Sequence, residues 1–326
     1  MTERLVMRSV VCAIAQTPHG AHTAGAEGGM NHISGNQKWG HIDEGLPRDC
    51  LAACLITDAE RYTALTETMQ PSAVVELINR YFGALFGPVL DNGGIVSDVK
   101  GDGLLAVWNY ESAGPQFKMR VCKACLEIVD AVDELNKQHP AHRLPTRLGL
   151  DFGPVALAQV GAHARYEYRA VGDPVNTASR LEALNKALKT RVLVSDAFAQ
   201  GVSGFLFRDL GSFQLRGKRT RTRIRELVGS AEHCSSRDQE LCGEFARAIA
   251  AYALGDEIEA ARRFRSLRAR FPEDGPARYY LQLLETGRPA PGKEFSPRSA
   301  QGRATTSGWF SQLWRASGHV AERVAK

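Results

Sequence analysis

The chain has 326 residues, and its 41 Lys and Arg residues exceed its 36 Asp and Glu residues, giving a net charge of +5 at pH 7. Hydrophobic residues make up 44% and charged residues 24% of the chain, as in globular proteins that bury a sizeable core. These values exclude collagen, a chain disordered throughout and a disulfide-stapled miniprotein. The charge excess is also too small to make nucleic acid the leading partner.

Cysteine usage and apolar runs give an expected location. Seven cysteines are spread along the chain without a secretory signal, which predicts reduced thiols in a cytoplasmic protein. The only CxxC pair, Cys122 and Cys125, lies in a helical pattern, so we interpret it as two small apolar residues on a helix face. The apolar stretch over residues 5–15 contains Arg8 and is too short to cross a bilayer. We therefore expect no integral membrane segment.

Composition divides the chain into four parts. Residues 1–45 show neither hydrophobic period, which predicts a flexible N-terminal extension. Residues 46–229 are predicted to form the main domain. Residues 230–288 are predicted to form a helical extension that resembles one tetratricopeptide-like hairpin plus one helix. Residues 289–326 predict a Pro/Gly/Ser-rich linker and an amphipathic tail, which we expect to dock on its own protein rather than on a membrane.

The elements of the main domain are predicted in the order β-α-α-β-β-α-β-β-α-β-α-β-β. An apolar run that ends at Asp58 predicts a buried strand, and Pro71 marks the start of a long helix that ends near residue 92. Lys100-Gly-Asp-Gly103 is a hairpin signature between strands 95–99 and 104–108. The remaining predictions are a helix over 117–135, strands over 147–160 and 166–171, a helix over 174–188, and strands over 191–194, 205–210 and 213–228. This order predicts an α+β fold.

Two aspartates adjoin predicted strands where a carboxylate is exposed: Asp58 ends the first strand and Asp102 lies in the hairpin turn. A third motif follows, Ala170-Val-Gly-Asp-Pro-Val-Asn176-Thr-Ala-Ser-Arg180-Leu-Glu. Together, over about residues 50 to 228, these motifs resemble the class III nucleotidyl cyclases, the adenylyl and guanylyl cyclases. The resemblance implies a ferredoxin-like catalytic domain, in which flanking helices cover an antiparallel sheet, and conversion of a nucleoside triphosphate to a cyclic nucleotide and pyrophosphate.

The resemblance also assigns roles to residues. Asp58, Asp102 and the backbone carbonyl of Ala59 would hold two divalent cations per site, Mn²⁺ or Mg²⁺, which suit hard oxygen ligands. Asn176 would orient the ribose, and Arg180 would stabilise the pentavalent transition state. The aspartates and the Asn/Arg pair come from different protomers in this family, which implies a homodimer with composite sites.

Two segments are candidates for contacts with the triphosphate. The turn that contains Arg61, Tyr62 and Thr63 lies between the first strand and helix, where backbone N–H groups can meet phosphates; family members often have glycine at the position of Arg61. Arg216 begins a turn that resembles the family's Lys-Gly-Lys phosphate contact. Six cations lie between residues 216 and 225, but no aromatic residues are interleaved with them, so we expect no nucleic acid partner.

The base pocket departs from the family pattern. Adenylyl cyclases have Lys where this chain has Asp98 and Asp or Thr where it has Arg169, so the order of charges is reversed and ATP is disfavoured. Asp98 can accept a hydrogen bond from uracil N3–H while Arg169 donates to a uracil carbonyl, and the bulk of Arg169 favours a single ring. The pattern resembles the bacterial pyrimidine cyclases of anti-phage defence. This implies a uridylate cyclase whose product, cyclic UMP, acts on a separate effector protein.

Three alternatives stay open. Guanylate cyclase is the runner-up, because guanine presents N1–H and O6 to the same two side chains. Cytidylate cyclase would need another arrangement of donors. A catalytically silent nucleotide-binding or dimerisation module is the alternative of another class, although degenerate relatives usually lose an aspartate or the helix arginine that this chain keeps.

Overall fold

The computed structural model describes residues 47–114, 116–162 and 165–286. The predicted N-terminal extension, residues 1–45, and the predicted linker and tail, residues 289–326, lie outside the described residues. The main domain and the helices that follow it are therefore the parts whose structure can be compared with the sequence predictions.

An eight-stranded sheet forms the centre of the described chain, in the order β2-β3-β1-β4-β6-β8-β7, with β5 paired to β4. The strands are β1 Arg48–Ala59, β2 Ile95–Lys100, β3 Gly103–Asn109, β4 Thr146–Ala162, β5 Arg165–Val171, β6 Val192–Ser195, β7 Phe205–Phe213 and β8 Thr222–Ser230. The α+β class is confirmed. The sheet is mixed rather than wholly antiparallel, because β4 and β6 run parallel across the connection that contains the long helix after β5.

Nine α-helices are described. They are α1 Tyr62–Thr68, α2 Pro71–Asp91, α3 Tyr110–Ala113, α4 Phe117–Gln138, α5 Asp173–Leu188, α6 Asp196–Ala199, α7 Ser236–Ala253, α8 Glu257–Arg270 and α9 Gly275–Thr286. Pro71 lies in the first turn of α2, where its missing N–H leaves no hydrogen bond unmade. The strand predicted over 213–228 is shorter than expected, because β7 continues to Phe213 and β8 begins only at Thr222.

Alternation along β1 sends its side chains into two cores on opposite faces of the sheet. Ala53 and Leu55 face a core built with α2 and α4, which includes Phe82 and Trp108. Cys50, Ala52 and Cys54 face the opposite core, beneath α5, with Val175 and Ala178. Helix α5 therefore packs on the opposite face of β1 from α2 and α4.

Helix α2 is the one described helix that is long and apolar enough to cross a membrane by length and composition. Its apolar side packs in the core against α4, where Tyr81, Phe82 and Leu85 are fully buried. Cys122 and Cys125 are also fully buried there, on α4, and burial raises the pKa of both thiols. Within the described residues, this CxxC pair is part of the core.

Helices α7 to α9 pack on the sheet domain through a shared apolar cluster. The cluster joins leucines of α5 and residues of β7 to the aromatic side chains of the helices. Its members include Leu181, Leu184 and Leu188 of α5, Leu210 and Phe213 of β7, and Phe245, Tyr252, Phe264, Tyr279 and Tyr280 of the extension. Tyr280 donates a hydrogen bond from its hydroxyl to the Leu210 carbonyl at 2.6 Å. The extension is thus joined to the back of α5 and to the edge strand by a continuous core.

A buried ion network reinforces this contact. The guanidinium of Arg208, on β7, is 4% exposed and pairs with Glu226 on β8 and with Asp274 just before α9, the second pair at 2.5 Å. It also lies over the ring of Phe245, with its central carbon 4.9 Å from the ring centroid. Because a charge this deeply buried is stabilised only by its partners, the network fixes the start of α9 on the sheet.

Candidate active site

The two predicted metal-binding aspartates converge at one end of the sheet. Asp58 is the penultimate residue of β1. Asp102 lies in the turn between β2 and β3, and β3 pairs with β1. The backbone N–H of Ala59 donates to Oδ2 of Asp102 at 3.0 Å. The hairpin lies so close to β1 that a Cβ on Gly103 would meet the Thr57 carbonyl at 3.2 Å.

The electrostatics of this pair favour a bound cation. Burial, and then the negative charge of Asp58, raise the pKa of Asp102 to about 6. A cation bound beside Asp102 would offset this cost of ionising its carboxylate. Among the described residues, no group of three or more His, Cys, Asp or Glu side chains is arranged to hold a metal ion. The aspartates and the Ala59 carbonyl fit divalent cations only if a ligand such as a triphosphate supplies further oxygens.

Arg147 on β4 was missed by the sequence analysis, although it contacts three carboxylates. Its Nη2 lies 2.5 Å from Oδ2 of Asp58, its Nη1 lies 2.7 Å from Glu60, and its Nε lies 2.9 Å from Glu182 on α5. Burial and the charge of Asp58 raise the pKa of Glu182 to about 7, although Arg147 acts in the opposite direction. The positive charge of the Arg147 guanidinium therefore partly balances the negative charges of these three carboxylates.

The turn predicted to contact phosphates comes shortly after the end of β1 in the chain. Arg61 has φ 71°, in the left-handed region, and precedes helix α1, which begins at Tyr62 and contains Thr63. A left-handed backbone favours glycine, which explains why glycine suits this position in the family. The structure therefore places Arg61, Tyr62 and Thr63 immediately after the aspartate at the end of β1.

A second group of predicted residues lies on and beside α5. The amide of Asn176 donates to the Gly172 carbonyl at 3.4 Å, in the first turn of the helix. The guanidinium of Arg180 is 3.2 Å from the position of a Cβ on Gly217, so it lies against the turn that contains Arg216. Burial lowers the pKa of Arg180. Lys218 of the same turn pairs with Asp173 at the start of α5.

The two predicted base contacts are adjacent in the structure. Asp98 lies on β2 at an irregularity in its pairing with β3, and Arg169 lies on β5 opposite Ala158. Nη2 of Arg169 is 3.6 Å from Oδ2 of Asp98, and both side chains are 29% exposed. A hydrogen-bond acceptor and a donor thus lie side by side, partly open to solvent.

The site residues form two separate groups within the chain. Among the residues that the structure describes, no hydrogen bond or ion pair joins Asn176 or Arg180 to Asp58 or Asp102. The carboxylates pair instead with Arg147 and with backbone N–H groups. Within the described residues, helix α5 is linked to Asp58 through Glu182 and Arg147 rather than through Asn176 or Arg180.

Comparison with known proteins identifies this arrangement. The model of the adenylate and guanylate cyclase catalytic domain family matches residues 49–226. The chain belongs to this family. Over 179 residues it is 34% identical to adenylate cyclase 1 of Rhizobium meliloti, an alignment that covers 54% of this chain and 27% of that protein. The chain thus matches only about a quarter of the length of that cyclase.

Solved cyclases share the fold. The adenylyl cyclase CyaB of P. aeruginosa superposes with a TM-score of 0.52 and 21% identity, covering 58% of this chain and all of that one. The guanylyl cyclase Cya2 gives 0.51 and 22%, covering 57% of this chain and 96% of that one. An adenylyl cyclase and a guanylyl cyclase therefore share this architecture, so the fold alone does not determine which base is bound.

The cation cluster predicted over residues 216–225 is largely paired. Arg223 contacts Asp209, Arg225 contacts Asp196 and Lys218 contacts Asp173. Arg221 donates to the Ser212 carbonyl at 2.8 Å. These contacts are typical of a charged surface tied to its own domain rather than a basic surface held ready for a polyanion.

Proposed function

We propose that the chain is a uridylate cyclase that converts UTP to 3′,5′-cyclic UMP and pyrophosphate. The observation that carries the choice of base is the pairing of Asp98 with Arg169 at 3.6 Å. Membership of the cyclase family supports the reaction class. In this reaction the 3′-oxygen bonds to the α-phosphorus, the bond from that phosphorus to the oxygen bridging to the β-phosphate breaks, and the 3′-hydroxyl loses its proton.

The chain's own charged groups supply binding and transition-state stabilisation. Asp58, Asp102 and the Ala59 carbonyl would hold the cations, Mn²⁺ or Mg²⁺, which when bound lower the pKa of the hydroxyl and neutralise the leaving phosphates. Arg147 lies against Asp58, so a triphosphate bound there meets its terminal N–H groups. Helix α1 begins at Tyr62, four residues after Asp58, and the backbone N–H groups of Tyr62 and Thr63 in its first turn would bind phosphate oxygens.

Arg180 acts on the charge that develops during the reaction. Its guanidinium is partly buried, which strengthens its attraction to the oxygens of a pentavalent phosphorus. Asn176, one turn earlier on the same face of α5, orients the ribose. Arg216 in the adjoining turn contacts the polyphosphate, and Arg61 adds a further positive charge beside the aspartates.

The hydrogen-bonding edge of uracil is complementary to Asp98 and Arg169. Its N3–H donates to the carboxylate while O4 accepts from the guanidinium, so both charged groups keep a partner. Cytosine presents an acceptor at N3 and would face the carboxylate with no proton. Guanine offers N1–H and O6 in the same order, which makes guanylate cyclase the second candidate, although its second ring must fit beside the long Arg169 side chain.

We propose that the active form is a homodimer with two composite sites. Its support is that, among the described residues, Asn176 and Arg180 make no hydrogen bond or ion pair with Asp58 or Asp102. In a dimer with two-fold symmetry, Asn176 and Arg180 of one protomer can face Asp58 and Asp102 of its partner, and the reverse, so that two complete sites form. On this proposal a monomer has only one of the two residue groups at each site and is therefore inactive.

A signalling role in the cytoplasm is part of the proposal. The six described cysteines are free thiols, which agrees with a reducing compartment. The resemblance to pyrimidine cyclases of anti-phage defence supports a role in which cyclic UMP activates a separate effector protein.

The decisive experiment is incubation of the purified protein with Mn²⁺ and ATP, GTP, CTP or UTP in separate reactions, followed by chromatography with mass detection. We expect cyclic UMP as the dominant product. Asp98→Asn should lower kcat/KM for UTP by roughly 10- to 100-fold, the effect of losing a hydrogen bond to a charged group. Asp91→Asn, at the exposed end of α2, is the control and should change it little.

Other products would change the proposal. Cyclic GMP as the dominant product would establish the second candidate, and cyclic AMP would show that the base edge binds in the opposite orientation. No product from any nucleotide, in a protein shown to be dimeric, would support the silent binding module.

The composite site has its own test. Asp102→Ala and Arg180→Ala should each be inactive, and mixing them should restore activity because one mixed-dimer site then keeps both residues. Absence of recovery in demonstrably mixed dimers would contradict the composite arrangement without bearing on the choice of nucleotide.

A further inference from the structure

We propose that Glu182 is a positioning residue that fixes the Arg147 guanidinium for binding of the triphosphate. The inference rests on the proposed function, because it assigns a supporting residue to the same phosphate-binding site. It concerns how the chain holds Arg147 in place, and it does not depend on which base is recognised.

The first argument is the unequal burial of the three carboxylates around Arg147. The side chain of Glu182 is 12% exposed, like that of Arg147 itself, whereas the side chains of Asp58 and Glu60 are 40% and 35% exposed. Glu182 is therefore the inner partner, and the other two lie toward solvent. It contacts Nε, which leaves both terminal nitrogens directed to the outer side.

The second argument is the way the backbone brings Glu182 to this position. A Cβ on Gly149 would lie 2.0 Å from the Ala178 carbonyl oxygen and 2.2 Å from the Glu182 nitrogen, so α5 touches the β4 backbone at this glycine. Arg147 is two residues earlier and therefore on the same face of β4. Contact between strand and helix backbones at Gly149 puts the Glu182 carboxylate within hydrogen-bond distance of Nε.

The third argument is chemical. When Asp58 binds a cation, its carboxylate can no longer give Arg147 the same charge compensation. The hydrogen bond from Nε to Glu182 is unaffected, so the guanidinium stays in place with its two terminal nitrogens available to phosphate oxygens. Without Glu182, the arginine side chain would lose rotamer freedom on binding and would leave one buried donor unpaired.

Binding of inorganic tripolyphosphate in the presence of Mg²⁺, measured by calorimetry, tests this role without the base and without turnover. We expect Glu182→Leu to weaken binding by roughly tenfold or more, the effect of losing a positioned charged contact. Glu182→Gln keeps an oxygen that accepts from Nε, so its loss should stay within about threefold. Should the leucine variant fail to fold, a loss within about threefold in the glutamine variant together with a tenfold loss in Glu182→Ala would give the same support.

A matched control separates positioning from general loss of stability. Glu226→Gln removes a charge from the other buried arginine network, around Arg208, outside the candidate site. We expect this variant to lower the melting temperature while binding tripolyphosphate like the wild type. Equal losses of affinity in the Glu226 and Glu182 variants, or an unchanged affinity in Glu182→Leu, would overturn the positioning role. No binding by the wild-type protein would refute the triphosphate site itself, and this role with it.

Mixed dimers distinguish an effect on Arg147 from an effect on α5. In the restored Asp102→Ala and Arg180→Ala pair, the working site takes Asp102 from one protomer and Arg180 from the other. We introduce Glu182→Leu into one protomer of this mixed dimer at a time. The change should lower the activity of the dimer roughly tenfold more when it is in the protomer that supplies Asp102 and Arg147 than when it is in the protomer that supplies Arg180. The reverse order would show that Glu182 acts by supporting α5, and would overturn the proposal.

Discussion

Substitution of Gly149 by alanine directly tests the close contact between α5 and β4. The added Cβ would lie 2.0 Å from the Ala178 carbonyl oxygen, whereas ordinary van der Waals contact begins at 3.4 Å. Both nearest atoms belong to the backbone of α5, so no side-chain rotation can relieve the overlap. The helix must move away from the strand by roughly 1.4 Å, the difference between these two distances.

The expected cost follows from the rigidity of packed backbones. Overpacking in a core costs about 1–3 kcal/mol, and we expect the upper end, ~3 kcal/mol, because neither backbone segment is flexible. For a domain of this size that corresponds to a fall of roughly 6–12 °C in melting temperature. Because α5 also carries Asn176, Arg180 and Glu182, activity should fall by more than the loss of folded protein explains.

Thermal unfolding followed by circular dichroism, together with cyclase activity below the transition, checks both parts. Gly83→Ala is the control: Gly83 lies in helix α2, where nothing is within 4 Å of the new Cβ. This control should raise stability by about 0.5–1 kcal/mol through helix propensity. A melting temperature for Gly149→Ala equal to that of the wild type would refute the close packing of α5 on β4.

Three other predictions concern the carboxylates and the extension. Asp58→Ala and Asp102→Ala should each lower kcat by ~10³-fold or more while the circular dichroism spectrum stays unchanged. Because the folded chain raises the pKa of Asp102 from 3.8 to about 6, the metal-free protein should lose stability as pH rises from about 4 to about 6, with no further loss from this group above that. The rise in melting temperature on adding Mn²⁺ should therefore be larger at about pH 7.5 than at about pH 5, and Asp102→Asn should remove this difference. Asp274→Ala should destabilise the chain by ~3–5 kcal/mol in denaturant titration, because it leaves Arg208 buried with one partner fewer; a change below ~1 kcal/mol would contradict the buried network.

Much of the fold could be predicted because its signals are local. The hairpin between β2 and β3 follows from Lys100-Gly-Asp-Gly103, since turn residues set the register of the adjoining strands. The start of α2 follows from Pro71. Strand order is different: the parallel pairing of β4 with β6 across α5 depends on contacts that no local pattern contains.

The candidate site shows the same division. The positions of Asp98 and Arg169 were selected through a family pattern, and the structure places them 3.6 Å apart. Arg147 carries no local signal, because it is an ordinary residue at the start of a strand. Its partners Glu182 and Asp58 are 35 and 89 residues away in the chain, so the network exists only once β1, β4 and α5 are assembled.

Helix α5 explains why a cyclase domain and its helical extension form one folded unit here. One side of the helix rests on β4 at Gly149, and its last turn meets the start of α9, where a Cβ on Gly275 would be 2.0 Å from the Leu188 carbonyl oxygen. Leu181 and Leu184 lie in the core shared with α7 to α9. An added Cβ would overlap helix backbone at both glycines, so the extension and the sheet each pack closely against the helix that carries Arg180. A change that loosens α9 should therefore displace α5 through the packed leucines, because rigid cores transmit displacement rather than absorb it.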